Sequence, residues 1–345
     1  HSNVAVGRSA LTANTTADHN TAVGFSALDT NTTGAHNVAV GSRAGDANTT
    51  GTQNTFVGGD YNGGPGGANT TGGCNTFIGN DSGMKNTTGS FSTSVGAESS
   101  CNGTTSHSNA ALGYKALKLL TTGNSNVAIG REALLANTTG GASIAVGAYA
   151  LVSNTTGCSH VAIGLQALED STTGENNVAI GRTAAKDVTT GTKNIMVGFN
   201  SGSNATTGTG NVLIGDSAGT DAVRNVTDGS NNIVLGNNAS ATAHIKIDWT
   251  VTSDLRDKTE VKNVTHGLDF VNQITPIEYR FKKSRENDTP TGRKRFGFSA
   301  QEILALEGDN PIIINNEDTD NLKLTSAYLI PVLVNAIKEL KAEIE

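Results

Sequence analysis

Two side chains in this sequence have types and a spacing that suit covalent chemistry: Ser253 and Lys258, in the run Ser-Asp-Leu-Arg-Asp-Lys. A serine hydroxyl becomes a nucleophile when a base removes its proton, and a lysine serves as that base when burial or a nearby cation lowers its pKa. Arg256, between the two, is a candidate for that cation. A spacing of five puts the pair on different faces of a helix and on opposite faces of a strand. The two side chains therefore meet only in a bent segment or across neighbouring chains.

The bond within reach of such a pair is the Thr252–Ser253 peptide, because the Ser253 hydroxyl lies beside the Thr252 carbonyl. An acyl shift from nitrogen to oxygen, followed by hydrolysis, would cut the chain there. Taken alone, Ser-x-x-x-x-Lys is a weak motif. Its position is more informative, because the sequence before it repeats one short motif and the sequence after it does not repeat. The pattern predicts two unlike parts with a cut between them.

The first part repeats with a period of 17 residues, apart from two steps of 21. A glycine ends each repeated run of the type Val-Ala-Val-Gly. These glycines are Gly7, Gly24, Gly41, Gly58, Gly79, Gly96, Gly113, Gly130, Gly147, Gly164, Gly181, Gly198, Gly215 and Gly236. Fourteen copies at a fixed period are typical of a solenoid.

The residues around each marker glycine alternate as in a strand. The residue before it is Val, Ile or Leu in every copy, and the residue two positions earlier is Val, Ile, Thr or Ala. Seventeen residues suit two short strands and two turns, which predicts one coil of a parallel β-solenoid. We expect the flanking apolar residues to point inward. The middle residue, mostly Ala but Phe56 or Met196 in places, would then form an outer apolar strip that another chain covers.

Polar residues also recur at fixed positions. The position four residues before the glycine is Asn in eleven copies, with Ser92, Ser143 and His160 as the exceptions. Stacked at about 4.8 Å, these side chains are expected to form a hydrogen-bonded ladder along the rod. Thr-Thr pairs close twelve coils, as expected for tight polar turns.

Composition excludes several classes of function. The net charge is −7 and no part offers a basic stripe, so we expect no nucleic-acid partner. Cys74, Cys101 and Cys158 occupy different repeat positions, so we expect isolated thiols, no disulfide framework, no metal and no cofactor. No run of 18 apolar residues is present, so we expect no membrane insertion.

Beyond the seam, the pattern predicts a small α+β domain that ends in a long helix. Helices are expected at 268–274, at 300–306 and from about 326, with strands at 277–282, 296–298 and 312–314 and a polar loop at 284–295. The last helix has a heptad register, with Ile330, Ile337 and Ile344 at one core position and Leu333 and Leu340 at the other. Ile and Leu at these positions nominally favour a dimer, but two heptads are too short to fix the number of chains. The predicted domains are 1–243, a neck at 244–252, and 253–345.

The repeat pattern Asn-x-Val-Ala-Val-Gly with its Asn-Thr-Thr-Gly turns covers residues 1 to about 240. It resembles the left-handed parallel β-roll heads of trimeric autotransporter adhesins and the repeat shafts of phage tail fibres. The resemblance implies three parallel chains, in agreement with an apolar outer strip.

The second part resembles the self-cleaving intramolecular chaperone at the C-terminus of phage tail spikes and fibres. Four sequence blocks carry the resemblance: Ser253 to Lys258, Leu268 to Lys282, Gly297 to Glu302, and Tyr328-Leu-Ile-Pro with Ala336-Ile-Lys-Glu-Leu. The resemblance implies a Ser253–Lys258 dyad that cuts Thr252–Ser253 once a trimer has folded. The supporting residues that it suggests are Asp254, Arg256, Gln301 and Glu302.

These observations predict a homotrimeric fibre or spike segment of a virion. It would attach to a carbohydrate or protein receptor on a host cell and release its own C-terminal chaperone in a single self-directed cleavage. The alternative is a bacterial surface adhesin or an ice-binding solenoid in which the C-terminal domain is only a trimerisation cap. Any binding loops are expected in the two inserts, 59–73 and 219–230.

Overall fold

The computed structural model of the chain describes residues 2–59, 63–221, 224–237, 240, 251, 253–317 and 319–345, without the side chains of residues 224, 283 and 284. The chain divides into two compact units, residues 1–239 and 240–345. Of the predicted neck at 244–252, only residue 251 lies within the described residues. The predicted domain boundaries at 243 and 252 therefore stay predictions.

A three-residue strand stands directly before each marker glycine, and fourteen such strands form one parallel sheet. The first thirteen strands of the sheet, β1 to β13, are Val4–Val6, Thr21–Val23, Val38–Val40, Thr55–Val57, Thr76–Ile78, Thr93–Val95, Ala110–Leu112, Val127–Ile129, Ile144–Val146, Val161–Ile163, Val178–Ile180, Ile195–Val197 and Val212–Ile214. The fourteenth strand of the sheet is β16, Ile233–Leu235. Between β13 and β16, β14 (Thr220–Asp221) and β15 (Arg224–Asn225) form a small antiparallel hairpin. Neighbouring strands pair in register, with Val161 beside Val178. The predicted parallel β-solenoid is confirmed.

The prediction of two strands per coil is wrong, because among the described residues each coil contributes a single strand to the parallel sheet, and the β14–β15 hairpin belongs to an insert. Three positions in a coil take left-handed backbone angles, such as Ser26 (φ 53°), Leu28 (φ 51°) and His36 (φ 60°), and these turns prevent a second extended run. Hydrogen bonds still join the turns of successive coils, as from Leu28 N to Ala44 O at 3.1 Å. Among the described non-glycine residues with positive φ, Thr183 is the single β-branched one. This explains why the position of Leu28 holds Leu in many coils and never Val or Ile.

The predicted side-chain orientation in the strands is also wrong, because it is inverted. The middle residues, including Ala39, Phe56 and Met196, are completely buried. The flanking residues point outward, and Val38 and Ile163 are 37% and 39% exposed. The interior is narrow and already receives the Ala and Leu side chains of the turns, so it accepts one inward residue per strand. The first and third residues of the fourteen strands therefore form an outer apolar strip, built mainly from Val, Ile and Leu.

Large and small residues compensate one another inside the solenoid. Phe56 packs between Gly45 and Gly66, and a Cβ at either glycine would overlap its ring. A Cβ at Gly202 would likewise overlap the side chains of Met196 and Leu213. Where the middle residue of the strand is Ala, the facing position often carries Leu instead. The total side-chain volume is thus kept nearly constant from coil to coil, as close packing requires.

A polar layer interrupts the apolar core of the solenoid. One apolar cluster ends at Phe77, and the next begins at Ala111. In this layer Ser94 replaces the middle Ala of the strand, and Ser99 replaces an inward Ala of the turn. The Ser82 hydroxyl donates to Ser94 O at 2.9 Å and lies 3.0 Å from the Ser99 hydroxyl. Contacts of the Ser82 and Ser99 hydroxyls therefore take the place of methyl packing at this level of the rod, whereas the buried Ser94 hydroxyl has no hydrogen-bond partner among the described residues.

The predicted asparagine ladder is present in the structure and is buried. Asn126 Oδ1 accepts a hydrogen bond from Ser143 N at 3.1 Å, and Asn126 Nδ2 donates to Gly140 O at 2.9 Å. The Asn126 backbone N–H in turn donates to Asn109 Oδ1 at 2.9 Å. Each amide side chain thus satisfies backbone groups of the following coil, where no water is available to do so.

The described residues of the C-terminal unit form three α-helices and two antiparallel strand pairs. Helices α1, α2 and α3 are Leu268–Gln273, Ala300–Glu307 and Leu329–Ile344; strands β17 and β18 are Ile277–Ser284 and Asn287–Gly297, and β19 and β20 are Ile314–Asn315 and Lys323–Leu324. The prediction of a loop at 284–295 is wrong, because most of that range belongs to β18. The β17–β18 hairpin is largely exposed, so β18 lacks the alternation of apolar and polar residues by which a half-buried strand is recognised. Phe270, Ile303, Ile313, Leu329 and Val332 form the core.

Replacing one ladder residue is expected to destabilise the solenoid locally. Asn126→Ala leaves the Ser143 amide buried without its partner, at a cost of about 1–3 kcal/mol, and removes one of two side-chain donors to the Gly140 carbonyl, which still accepts from Asn137 Nδ2 at 2.9 Å. The exchange rate of the Ser143 amide with deuterium reports this loss directly. Ser125→Ala is the matched control, because Ser125 is adjacent but exposed. Equal protection of the Ser143 amide in both variants would contradict the ladder.

His160 is expected to make the stability of the solenoid depend on pH. It occupies the Asn position, is fully buried, and lies with Nε2 2.8 Å from Gly174 O while Nδ1 accepts from Asn177 N at 3.3 Å. Burial lowers the pKa of this imidazole, although the Gly174 carbonyl and the Glu175 carboxylate oppose the shift. Below about pH 6.5 the unfolded chain binds a proton that the folded chain does not. The free energy of unfolding should therefore be constant above about pH 7 and should fall as the pH drops toward the lowered folded value.

Thermal unfolding between pH 7.5 and pH 5.5 tests this expectation. His160→Asn restores the residue of the other coils and removes the titrating group, so the variant should lose less stability than the parent over this range. The difference should approach, at most, about 1.4 kcal/mol per pH unit, the limit for one proton. An identical decline in the two proteins would show that His160 does not control the pH dependence.

Candidate functional site

A single turn of 3₁₀-helix, Leu255–Asp257, brings Ser253 and Lys258 together. Lys258 Nζ donates a hydrogen bond to Ser253 Oγ at 2.9 Å. The turn is closed by Asp257 N donating to Asp254 O at 3.2 Å and by Lys258 N donating to Leu255 O at 3.1 Å. A bent segment of one chain is therefore sufficient for contact between a serine and a lysine five residues apart.

The turn is capped by Asp254. Its Oδ1 accepts a hydrogen bond from Arg256 N at 2.9 Å, as an Asp at the start of a helical turn commonly does. Arg256 Nε lies 3.1 Å from both carboxylate oxygens, and the guanidinium also bonds through Nη2. This pairing lowers the pKa of Asp254 and raises that of Arg256. Asp254 thus fixes the turn between Ser253 and Lys258, and Arg256 is paired with that carboxylate.

Ser253 and Lys258 are exposed in the single chain, so water reaches both side chains. Thr252, which precedes the bond expected to be cut, lies outside the described residues. The serine hydroxyl, its lysine partner and the capping carboxylate form a compact constellation suited to acyl transfer, in which a hydroxyl attacks a carbonyl and an amine carries its proton.

Gln301 and Glu302, suggested as supporting residues, lie at the start of α2 and make contacts there. The Ser299 hydroxyl caps α2 by accepting from Glu302 N at 3.3 Å, and it donates to Gln301 Oε1 at 3.4 Å. The Glu302 carboxylate accepts from the Thr275 hydroxyl at 2.8 Å. The Glu302 contact joins α2 to the segment after α1, and the supporting role predicted for Gln301 and Glu302 in cleavage stays a prediction.

Sequence patterns did not indicate that side chains of α3 form hydrogen bonds with the backbone just before and at the start of α1. Glu339 Oε2 accepts a hydrogen bond from Leu268 N at 2.6 Å, and Asn335 Nδ2 donates to His266 O at 3.1 Å and to Glu339 Oε1 at 2.9 Å. Gly267 leaves room for this contact, because a Cβ there would overlap the Glu339 carboxylate. The partners are about 70 residues apart, so no local motif reveals them. The only sequence signal is an Asn and a Glu four residues apart on the face of α3 away from the heptad seam.

Other chemically capable side chains in the described segments do not assemble into a site. The thiols of Cys74, Cys101 and Cys158 are free, and burial raises the pKa of Cys101, which keeps it protonated. His19 and His36 stack on adjacent coils with ring centroids 4.9 Å apart. Within the described segments, no three His, Cys, Asp or Glu residues are grouped as metal ligands would be. The helices described there are too short or too polar to cross a membrane.

Residues 253–309 match the model of a peptidase family described as the chaperone of endosialidase. The match begins at Ser253 and runs through α2, so it concerns the C-terminal unit. No curated protein and no solved structure matches the chain. The family match implies a serine-type intramolecular chaperone that cleaves itself, and together with the β-solenoid it fits a phage tail fibre-like protein.

Proposed function

We propose that this chain is part of a homotrimeric tail fibre or tail spike whose C-terminal unit guides assembly and then releases itself by cutting Thr252–Ser253. Ser253 is the nucleophile and Lys258 the base. The observation that carries the proposal is the 2.9 Å contact between Lys258 Nζ and Ser253 Oγ, at the residue where the match to a self-cleaving chaperone family begins.

The cleavage proceeds by acyl transfer. Lys258, as the neutral amine, takes the proton of the Ser253 hydroxyl while Oγ attacks the carbonyl carbon of Thr252. The C–N bond breaks, the proton passes to the Ser253 nitrogen, and an ester joins Thr252 to Ser253 Oγ. Water then hydrolyses the ester, leaving a carboxylate on Thr252 and restoring the serine hydroxyl. The reaction needs no cofactor and occurs once for each chain.

Assembly would control this chemistry through solvation. An ammonium group in water is a poor base, and covering a lysine with protein favours its neutral form. Ser253 and Lys258 are exposed in the single chain. A neighbouring copy that covers the turn would therefore switch the base on, which places cleavage after association.

Two exposed apolar surfaces support association between copies. The outer apolar strip runs along all fourteen strands of the sheet, and the heptad residues of α3 are exposed, with Ile330 at 61% and Ile337 at 66%. Surfaces of this extent are usually covered in a working assembly. A C-terminal unit that associates first would set the register of the three solenoids, and its removal would make the shaft kinetically stable.

Host attachment and a place in the virion follow from the same proposal, with a carbohydrate or protein receptor as partner. The inserts at 59–73 and 219–230 are the proposed binding loops, and the second contains the β14–β15 hairpin. The rival assignments are a bacterial adhesin or an ice-binding solenoid. The first Thr of each pair donates its hydroxyl to the next coil, as from Thr138 Oγ1 to Thr155 O at 3.0 Å. These hydroxyls therefore serve the stacking of coils, which gives no support to an ice-binding face.

Removing either reacting group should stop cleavage. Ser253→Ala removes the nucleophile and should leave one full-length species, whereas Lys258→Met should slow cleavage about 100-fold or more, the usual effect of losing a general base. Intact mass under denaturing conditions measures both, and the parent should give two fragments that meet at Thr252 and Ser253.

The controls are Thr259→Ala and Lys262→Met, which alter an exposed hydroxyl and an exposed ammonium nearby. Both controls should cleave as the parent does. Cleavage that persists in Ser253→Ala, or a parent chain that stays intact, would exclude the proposed autoprotease. The C-terminal unit would then act only as a cap.

A charge in the heptad seam of α3 should prevent association. In the uncleavable Ser253→Ala background, the chain should sediment at three times its 35.2 kDa mass. Ile337→Asp buries a carboxylate in the proposed interface and should yield the single-chain mass. Lys338→Asp, on the neighbouring exposed position of the same helix, should remain associated. If the Ser253→Ala chain, whose seam is unmodified, sedimented at the single-chain mass, the proposed trimer would be refuted.

A further inference from the structure

Helix α3 has two faces with different partners. Leu329, Val332 and Ala336 are buried against the core of the same chain. The heptad residues on the other face are exposed, including Leu340 at 45% and Ile344 at 78%. One helix therefore contacts its own unit on one side and offers an apolar seam on the other.

The inner face of α3 also anchors the segment that follows the reactive turn. The N-cap residue of α1 is Gly267, which has no side chain to cap the helix. Glu339 supplies the missing acceptor, because its carboxylate accepts a hydrogen bond from Leu268 N, the first amide of α1. A carboxylate at a helix N-terminus is favoured by the unpaired amides and by the helix dipole. Asn335 donates to the carbonyls of Val264 and His266 at 3.5 and 3.1 Å. These contacts form the anchor: Asn335 and Glu339 of α3 with residues 264–268.

The anchor restricts where the reactive turn can be. Residues 259–263, between Lys258 and the anchor, form no helix or strand and are exposed. The position of the reactive turn relative to α3 therefore depends mainly on the anchor. Six residues span at most about 20 Å when fully extended. Ser253 and Lys258 are thereby tethered near α3, whose outer face is the proposed surface of association.

We propose that Asn335 and Glu339 are positioning residues that link self-cleavage to assembly. By holding residues 264–268 on the inner face of α3, they keep the reactive turn where a copy docked on the outer face covers it. This inference rests on the proposed function. It adds that assembly without the anchor is not sufficient for cleavage at the full rate.

The test separates association from cleavage in the full-length chain. Glu339→Ala removes the acceptor for Leu268 N, and Gly267→Ala displaces the same carboxylate from the other side. Both variants should sediment as the parent does but cleave at least about tenfold more slowly after cell-free synthesis, as read by intact mass over time. Glu339→Gln keeps an acceptor oxygen and should recover part of the rate. Glu343→Gln, exposed on the same helix, should behave as the parent.

The outcomes are distinct. Parental cleavage rates in Glu339→Ala and Gly267→Ala, with association unchanged, would overturn the linkage while leaving the autoprotease in place. Loss of association in Glu339→Ala would also overturn it, because the anchor would then belong to the interface itself. A parent that never cleaves would instead refute the proposed function. Faster deuterium exchange at the Leu268 amide in Glu339→Ala, beside an unchanged α3, is the expected sign that only the anchor is lost.

Discussion

The solenoid depends on one constraint: every coil must satisfy the buried polar groups of its neighbour at the same place on the rod. Asparagine meets this constraint because a single side chain offers both an acceptor and a donor. The two long repeats show how strict it is. Asn75 N donates to Asn54 Oδ1 at 2.9 Å across 21 residues, with the same geometry that other coils achieve across 17. The extra residues are placed outside the ladder, so the inserts vary without shifting the register of the strands.

The sequence allowed the class of fold to be predicted, because a fixed period and a fixed Asn position leave few architectures. Orientation was harder. Alternation around Val38 and Val40 shows that two faces differ, but it does not say which face is inside when both carry apolar residues. The relation of Gly45 and Gly66 to Phe56 contained the missing information, because a glycine opposite a large residue indicates that the large residue points inward.

The C-terminal unit shows where local patterns stop. Helix α1 ends at Gln273, one residue before the predicted end at 274, because the rules for helix ends are local and Pro276 disfavours a helical conformation just before it. The contact between Ser253 and Lys258 needed only a turn of a few residues, which a motif can suggest. The hydrogen bond between Leu268 N and the Glu339 carboxylate depends on the packing of two helices and could not be predicted from the sequence. The site is thus local in its chemistry and long-range in its placement.

The polar layer between Phe77 and Ala111 has a consequence for how the rod responds to damage. In a stacked array, stability passes from coil to coil through the shared interface. Serine hydroxyls such as those of Ser82 and Ser99 supply less of this coupling than the methyl groups of the other levels. The rod therefore behaves as two blocks in series, one on each side of the serines. Fraying that starts in one block is arrested at the serines, so the other block survives.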